Sequence, residues 1–123
     1  MTVPDLAYCV APPAEPRWLV VCLCAEWCGT CRDYRGPLRT VAADHPDHAF
    51  AWIDIEDDSE LAGDLDIETF PTLLVLSGRQ VMFYGPVLPG EESLRRLLRA
   101  LEENGAQPTA LDAAVTALVE RLR

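Results

Sequence analysis

The stretch from Trp18 to Cys24, WLVVCLC, is apolar without interruption and rich in Val and Leu. A run of this length and composition suits a strand covered on both faces, which places it in the middle of a sheet with packed layers on either side. Pro16 marks where it begins. Ala25-Glu26-Trp27-Cys28-Gly29-Thr30-Cys31 then makes a turn, and a helical stretch follows through about Ala43. A kink is expected at Gly36-Pro37, because proline removes a helical donor. Strand, turn and helix in that order form the first half of a βαβ unit, so the chain is expected to be α/β.

Phe50 to Asp54 (FAWID) reads as a second short strand. The acidic segment Glu56 to Glu60 is expected to start a short helix through Leu65, with Ser59 as its cap. Thr72 to Leu76 reads as a third strand. Ser77-Gly78-Arg79 ties it to a fourth, Gln80 to Tyr84, which so brief a turn makes antiparallel to it. The central sheet is therefore expected to be mixed and flanked by helices. From Gly90 a helix carries Leu94, Leu97, Leu98 and Leu101 on one face. Glu91 and Glu92 stand at its positive end, Arg95, Arg96 and Arg99 further on, and Gly105 closes it.

Gln107 to Arg123 reads as one more amphipathic helix, capped by Thr109, with Leu111, Val115, Leu118 and Leu122 on one stripe. In the simpler reading it packs back on its own domain. Docking to another chain is the alternative, since an isolated helix this short is marginal in water. The expected organisation is one domain over residues 1–106, irregular over 1–16, with an additional C-terminal helix over 107–123.

Twenty acidic residues against ten basic ones leave a formal charge of −10, which repels phosphate backbones and anionic lipid. Nucleic acid and membrane surfaces are thereby poor partners. Met1 to Pro16 has no basic cluster and is interrupted by four prolines, so it does not read as a signal peptide, and no apolar run is long enough to span a bilayer. A cytoplasmic location is expected. In that compartment the five cysteines (Cys9, Cys22, Cys24, Cys28, Cys31) are expected to be reduced, catalytic or metal-binding rather than a structural disulfide framework, which their odd count also resists.

Cys28 and Cys31 form a C-x-x-C motif where a strand ends and a helix begins. A helix N-terminus presents unpaired N–H groups and about half a unit of positive charge, which favours the thiolate that attacks disulfides. Cys28 stands at that position. Cys31, one turn later, is placed to attack the resulting mixed disulfide and release the reduced partner. Gly29 lets another backbone approach, and Trp27 supplies a flat apolar neighbour. A zinc site is the competing reading, with Cys22 and Cys24 completing C-x-C-x-x-x-C-x-x-C. Both of these point to one face of a buried strand, and small apolar packing is their simpler role. No metal is therefore expected. Cys9 has no assigned role, and His45 and His48 read as a solvated polar connection.

With WLVVCLCAEWCGTC and FPTLLVL in place, the sequence from about Trp18 to Asn104 resembles the thioredoxin family. The resemblance implies a thioredoxin-like fold and a protein dithiol-disulfide oxidoreductase that needs no bound cofactor. Its implied partners are a disulfide-containing protein substrate and a flavin-dependent reductase as electron donor. It also implies a cis bond before Pro71, which would set the backbone of Phe70 beside Cys28 for pairing with a substrate strand. The substrate-binding set is then Trp27, Gly29, Thr30, Phe70 and Pro71.

Three departures qualify the resemblance. Thr30 replaces the usual proline of the motif. Cys22 and Trp52 stand where the family keeps a buried carboxylate and its lysine partner, and the usual first strand and helix have little room before Pro16. The alternative reading is a binding or redox-sensing module that uses the same groove without catalysis.

Overall fold

The computed structural model describes residues 6–25, 28–58, 63, 67, 71–78, 80–106 and 113–122. Within them the elements run β1 (Ala7–Tyr8), β2 (Leu19–Cys24), α1 (Gly29–Ala43), β3 (Ala49–Asp54), β4 (Thr72–Ser77), β5 (Gln80–Pro86), α2 (Glu91–Asn104) and α3 (Ala113–Arg121). The five strands form one sheet in the order β1-β3-β2-β4-β5. β2 and β3 are parallel, while β2 and β4, β4 and β5, and β1 and β3 are antiparallel. The fold is α/β with a mixed sheet, as its patterning implies.

All six residues of β2 are buried, because the strand has neighbours in the sheet on both edges and packed layers on both faces. Alternation divides its side chains. Val20, Cys22 and Cys24 join a core with Tyr34, Leu38 and Val41 of α1 and Leu94, Leu98 and Leu101 of α2. Leu19, Val21 and Leu23 face the other way, into a second core with Val115, Leu118 and Val119 of α3 and the nearby Leu122. The C-terminal helix thus covers the sheet face opposite α1 and α2. Thr109 and Leu111 lie outside the described residues.

α1 runs as one helix through Pro37, and the Thr40 hydroxyl donates to the Gly36 carbonyl at 3.0 Å within the expected kink region. The turn after β3 is organised by Asp54, whose Oδ1 accepts from the N–H groups of Glu56 and Asp57 at 2.9 and 3.0 Å. The expected cap, Ser59, lies outside the described residues, as does most of the short acidic helix expected there. Ser77 and Gln80 are register partners at the end where β4 leads into β5, and Gly78, between them in the chain, has φ 61°. α2 starts after Gly90 with Glu91 and Glu92 in its first turn and ends at Gly105, whose φ is 75°. Where little room was expected for a first strand, β1 pairs Ala7 with Trp52 and Tyr8 with Ala51, and the Cys9 N–H extends the contact to the Phe50 carbonyl at 2.9 Å.

Candidate active site

The end of β2 and the first turn of α1 bring three cysteines together. Cys28 is the N-cap of α1, with extended backbone (φ −82°, ψ 122°) and no side-chain capping hydrogen bond. Its N–H donates to the Ala25 carbonyl at 3.0 Å, and its own carbonyl accepts from the Arg32 N–H at 3.1 Å, so the backbone around the thiol is clamped on both sides. Cys28 is a half-buried free thiol. Gly29 and Thr30 are exposed beside it, and Cys31, in the first turn, is fully buried. Trp27 and Phe70 lie outside the described residues, and with Phe70 the peptide bond before Pro71. Pro71 itself is buried, and its carbonyl accepts from the Val87 N–H at 3.1 Å.

Cys31 is joined by a disulfide to Cys24, with Cα atoms 5.8 Å apart, and the Ala25 N–H donates to the Cys31 Sγ at 3.4 Å. This corrects the packing role assigned to Cys24. Strand alternation puts Cys22 and Cys24 on one face, and the fold shows that face to be the one beneath α1. The further step is that α1 turns back over the strand end, so that its first turn lies against the last residue of β2. The signal was present in the spacing C-x-C-x-x-x-C-x-x-C, but spacing does not choose among pairings. The bond also takes two of the four thiols on which the zinc reading depended.

Cys22 is free and fully buried, and burial pushes its thiol well above the ordinary range, with Cys9 adding to the shift and Arg35 opposing it. It is a core residue beneath the site and a poor thiolate. Cys9 is also raised by burial, against the pull of Arg35 and Arg39, with which it lines a surface pocket alongside Trp52. The Arg35 guanidinium lies 4.6 Å from the centre of the Trp52 ring.

The His45–His48 connection differs from the solvated loop expected of it. His48 is buried, stacked on Trp18 at 4.7 Å and nearly parallel to it, with Asp47 4.0 Å from Nδ1 and Glu102 3.8 Å from Nε2. Burial holds its imidazole below the usual range, helped by His45 and Arg17 and opposed by Asp47 and Glu102. Nothing in the local sequence signals this, because the ring is covered by a residue thirty positions earlier and faced by another on α2.

A family model described as Thioredoxin matches residues 10–102. A putative thioredoxin 2 of Streptomyces coelicolor is 34% identical over 73 residues, which cover 58% of this chain and 54% of that protein. The mitochondrial thioredoxin of Bos taurus is 31% identical over 85 residues, covering 68% of this chain and 51% of that one. Among solved structures, thioredoxin of Fasciola hepatica superposes with a TM-score of 0.61 at 25% identity, over 69% of this chain and 81% of the other. The chain spans about half the length of the curated relatives it matches. Among the described residues no helix is long and apolar enough to cross a membrane.

Proposed function

Because the chain belongs to the thioredoxin family, we propose that it exchanges thiols with disulfides in other proteins, with Cys28 as nucleophile and Cys31 as resolving thiol. One observation carries this reading: Cys28 is a free, half-exposed thiol held at the N-cap of α1, with Cys31 in the turn behind it. The Cys28 thiolate attacks one sulfur of the substrate disulfide, forming a mixed disulfide and expelling the other sulfur as a thiolate. Cys31, giving up its proton, then attacks the Cys28 sulfur and releases the second substrate thiolate. Two electrons leave the protein dithiol, and the substrate gains two thiols.

Gly29 and Thr30 are exposed beside Cys28, and the proposed substrate strand passes over them. In this reading Phe70 and Pro71 hold that strand through a cis bond, and Trp27 shapes the apolar surface around the sulfur. A flavin-dependent reductase returns the electrons, and the cytoplasm is the compartment in which such a reductant works.

Insulin reduction driven by dithiothreitol tests the proposal. The wild type is expected to accelerate precipitation of the insulin B chain, and Cys28→Ser to fall to the uncatalysed rate. A wild-type rate no higher than that of the variant overturns catalysis and leaves a binding module with the same fold.

A further inference from the structure

The bonded pair in this structure is not the pair that the exchange reaction forms first. We propose that Cys24 is a third redox-active cysteine: once Cys28 and Cys31 have taken up a substrate disulfide, the bond migrates inward to Cys24–Cys31 and Cys28 is released as a free thiol. The inference rests on the exchange reaction proposed above and extends it.

Access carries the argument. Cys24 and Cys31 are each 0% exposed, whereas Cys28 is half-buried and free. A protein disulfide is too large to reach either sulfur of the bonded pair through the packed end of β2. Cys28 is the sulfur of the three that a macromolecular oxidant touches, so oxidation of the buried pair by such a substrate has to pass through it. Cys31 is the shared member. It lies one turn from Cys28 along α1, and it is bonded to Cys24 across the strand-helix junction. The Ala25 backbone links the two sides, its N–H donating to the Cys31 Sγ at 3.4 Å and its carbonyl accepting from the Cys28 N–H at 3.0 Å.

The added step is an isomerisation. The Cys24 thiolate attacks the Cys31 sulfur of the Cys28–Cys31 disulfide; a Cys24–Cys31 bond forms, the Cys28–Cys31 bond breaks, and Cys28 leaves as a thiolate that takes up the proton Cys24 gave. No electrons enter or leave, so no further oxidant is required. The oxidised protein then keeps its disulfide where outside thiols do not reach it. Reduction must run the same path backwards, with Cys28 attacking Cys31 and bringing the bond to the surface. Cys28 is thus both entrance and exit for the stored pair.

The test follows the reduced full chain after mixing with a disulfide-linked peptide. Samples are acid-quenched, alkylated with N-ethylmaleimide and digested with trypsin, which places all four site cysteines on the peptide Trp18–Arg32. Fragment spectra of that peptide report which sulfurs are alkylated. The wild type is expected to end with Cys28 alkylated and Cys24 linked to Cys31. In Cys28→Ser that bond is expected to form at least about tenfold more slowly, since its entrance is gone. In Cys24→Ala the bond stays at Cys28–Cys31 and Cys28 escapes alkylation.

A wild type that ends with Cys28–Cys31 linked and Cys24 alkylated overturns the migration, and that result needs no variant to interpret. Equal rates in the wild type and Cys28→Ser also overturn it, since the pair would then fill without Cys28. Insulin turnover separates the two proposals. A wild type that reduces insulin but rests as Cys28–Cys31 keeps the exchange reaction and loses the migration, whereas one that neither turns over insulin nor oxidises any of the three cysteines loses both.

Discussion

Cys22 and Trp52 are register partners across the parallel β2–β3 pair and share the core beneath α1. The differences at positions 22 and 52 therefore belong together: the acid and base that the family keeps next to each other are here a small and a large apolar side chain. A carboxylate returned alone to this site would be buried without a cation designed for it. Cys22→Asp is expected to cost about 3 kcal/mol of stability at neutral pH, measured as the shift in urea unfolding relative to the wild type. Burial would hold the new carboxyl's folded pKa above its unfolded value of about 3.9. The deficit should then be absent below that value, grow as pH rises and be complete above the folded pKa. A deficit that does not change with pH would mean lost packing rather than buried charge.

His48 gives a pH dependence of opposite sign. Its folded pKa is lowered by burial, so below about pH 6.5 the unfolded chain takes up a proton that the folded one refuses. Its contribution to stability is whole above that pH and is lost as pH falls towards the folded value. The wild type should lose more stability than His48→Phe between pH 7.5 and 5.5, because phenylalanine keeps a ring against Trp18 and cannot titrate. Equal losses would show that the acid sensitivity comes from elsewhere.

At this scale the sequence revealed where the cysteines gather, since C-x-x-C after a buried strand is a local pattern. It did not reveal the bond to Cys24 or the burial of His48. Both depend on contacts that only the assembled fold creates.

Among the elements, α3 shows how far periodicity carries. The stripe of Val115, Leu118 and Leu122 reads directly from the sequence, and the structure supplies its partner, the face formed by Leu19, Val21, Leu23, Ala51, Ile53 and Leu74. An apolar stripe specifies that something covers it but not which of two sheet faces does so. Leu118 is 0% exposed in that layer. Leu118→Ala is expected to destabilise the chain by about 2–4 kcal/mol in urea unfolding, and a change below about 0.5 kcal/mol would mean that α3 adds little to the fold. The strands were legible to within a residue or two because their apolar runs are bounded by Pro, Gly and polar turns. β1 was not, since two residues carry no period and their pairing with Trp52 and Ala51 is a long-range contact.

For the whole molecule the largest single property is its charge of −10. A field of that sign slows the approach of acidic partners and speeds that of basic ones, with a range of about 10 Å at 0.1 M salt. Two disulfide peptides of equal length, one with lysines flanking the bond and one with glutamates, should therefore react at different rates with the reduced protein. The basic peptide should lead at low salt, and the ratio should fall towards one as salt approaches 1 M. A ratio indifferent to salt would mean that contacts near Cys28 outweigh the distant charges.

β2 lies between β3 and β4, yet both neighbours come later in the chain, β4 some fifty positions later. During synthesis all five cysteines emerge ahead of Thr72–Ser77, which covers the antiparallel edge of that strand. Sulfurs that are sealed in the finished molecule thus pass through a period of open exposure to water. An oxidant met in that interval does not need the entrance at Cys28 that the finished fold imposes.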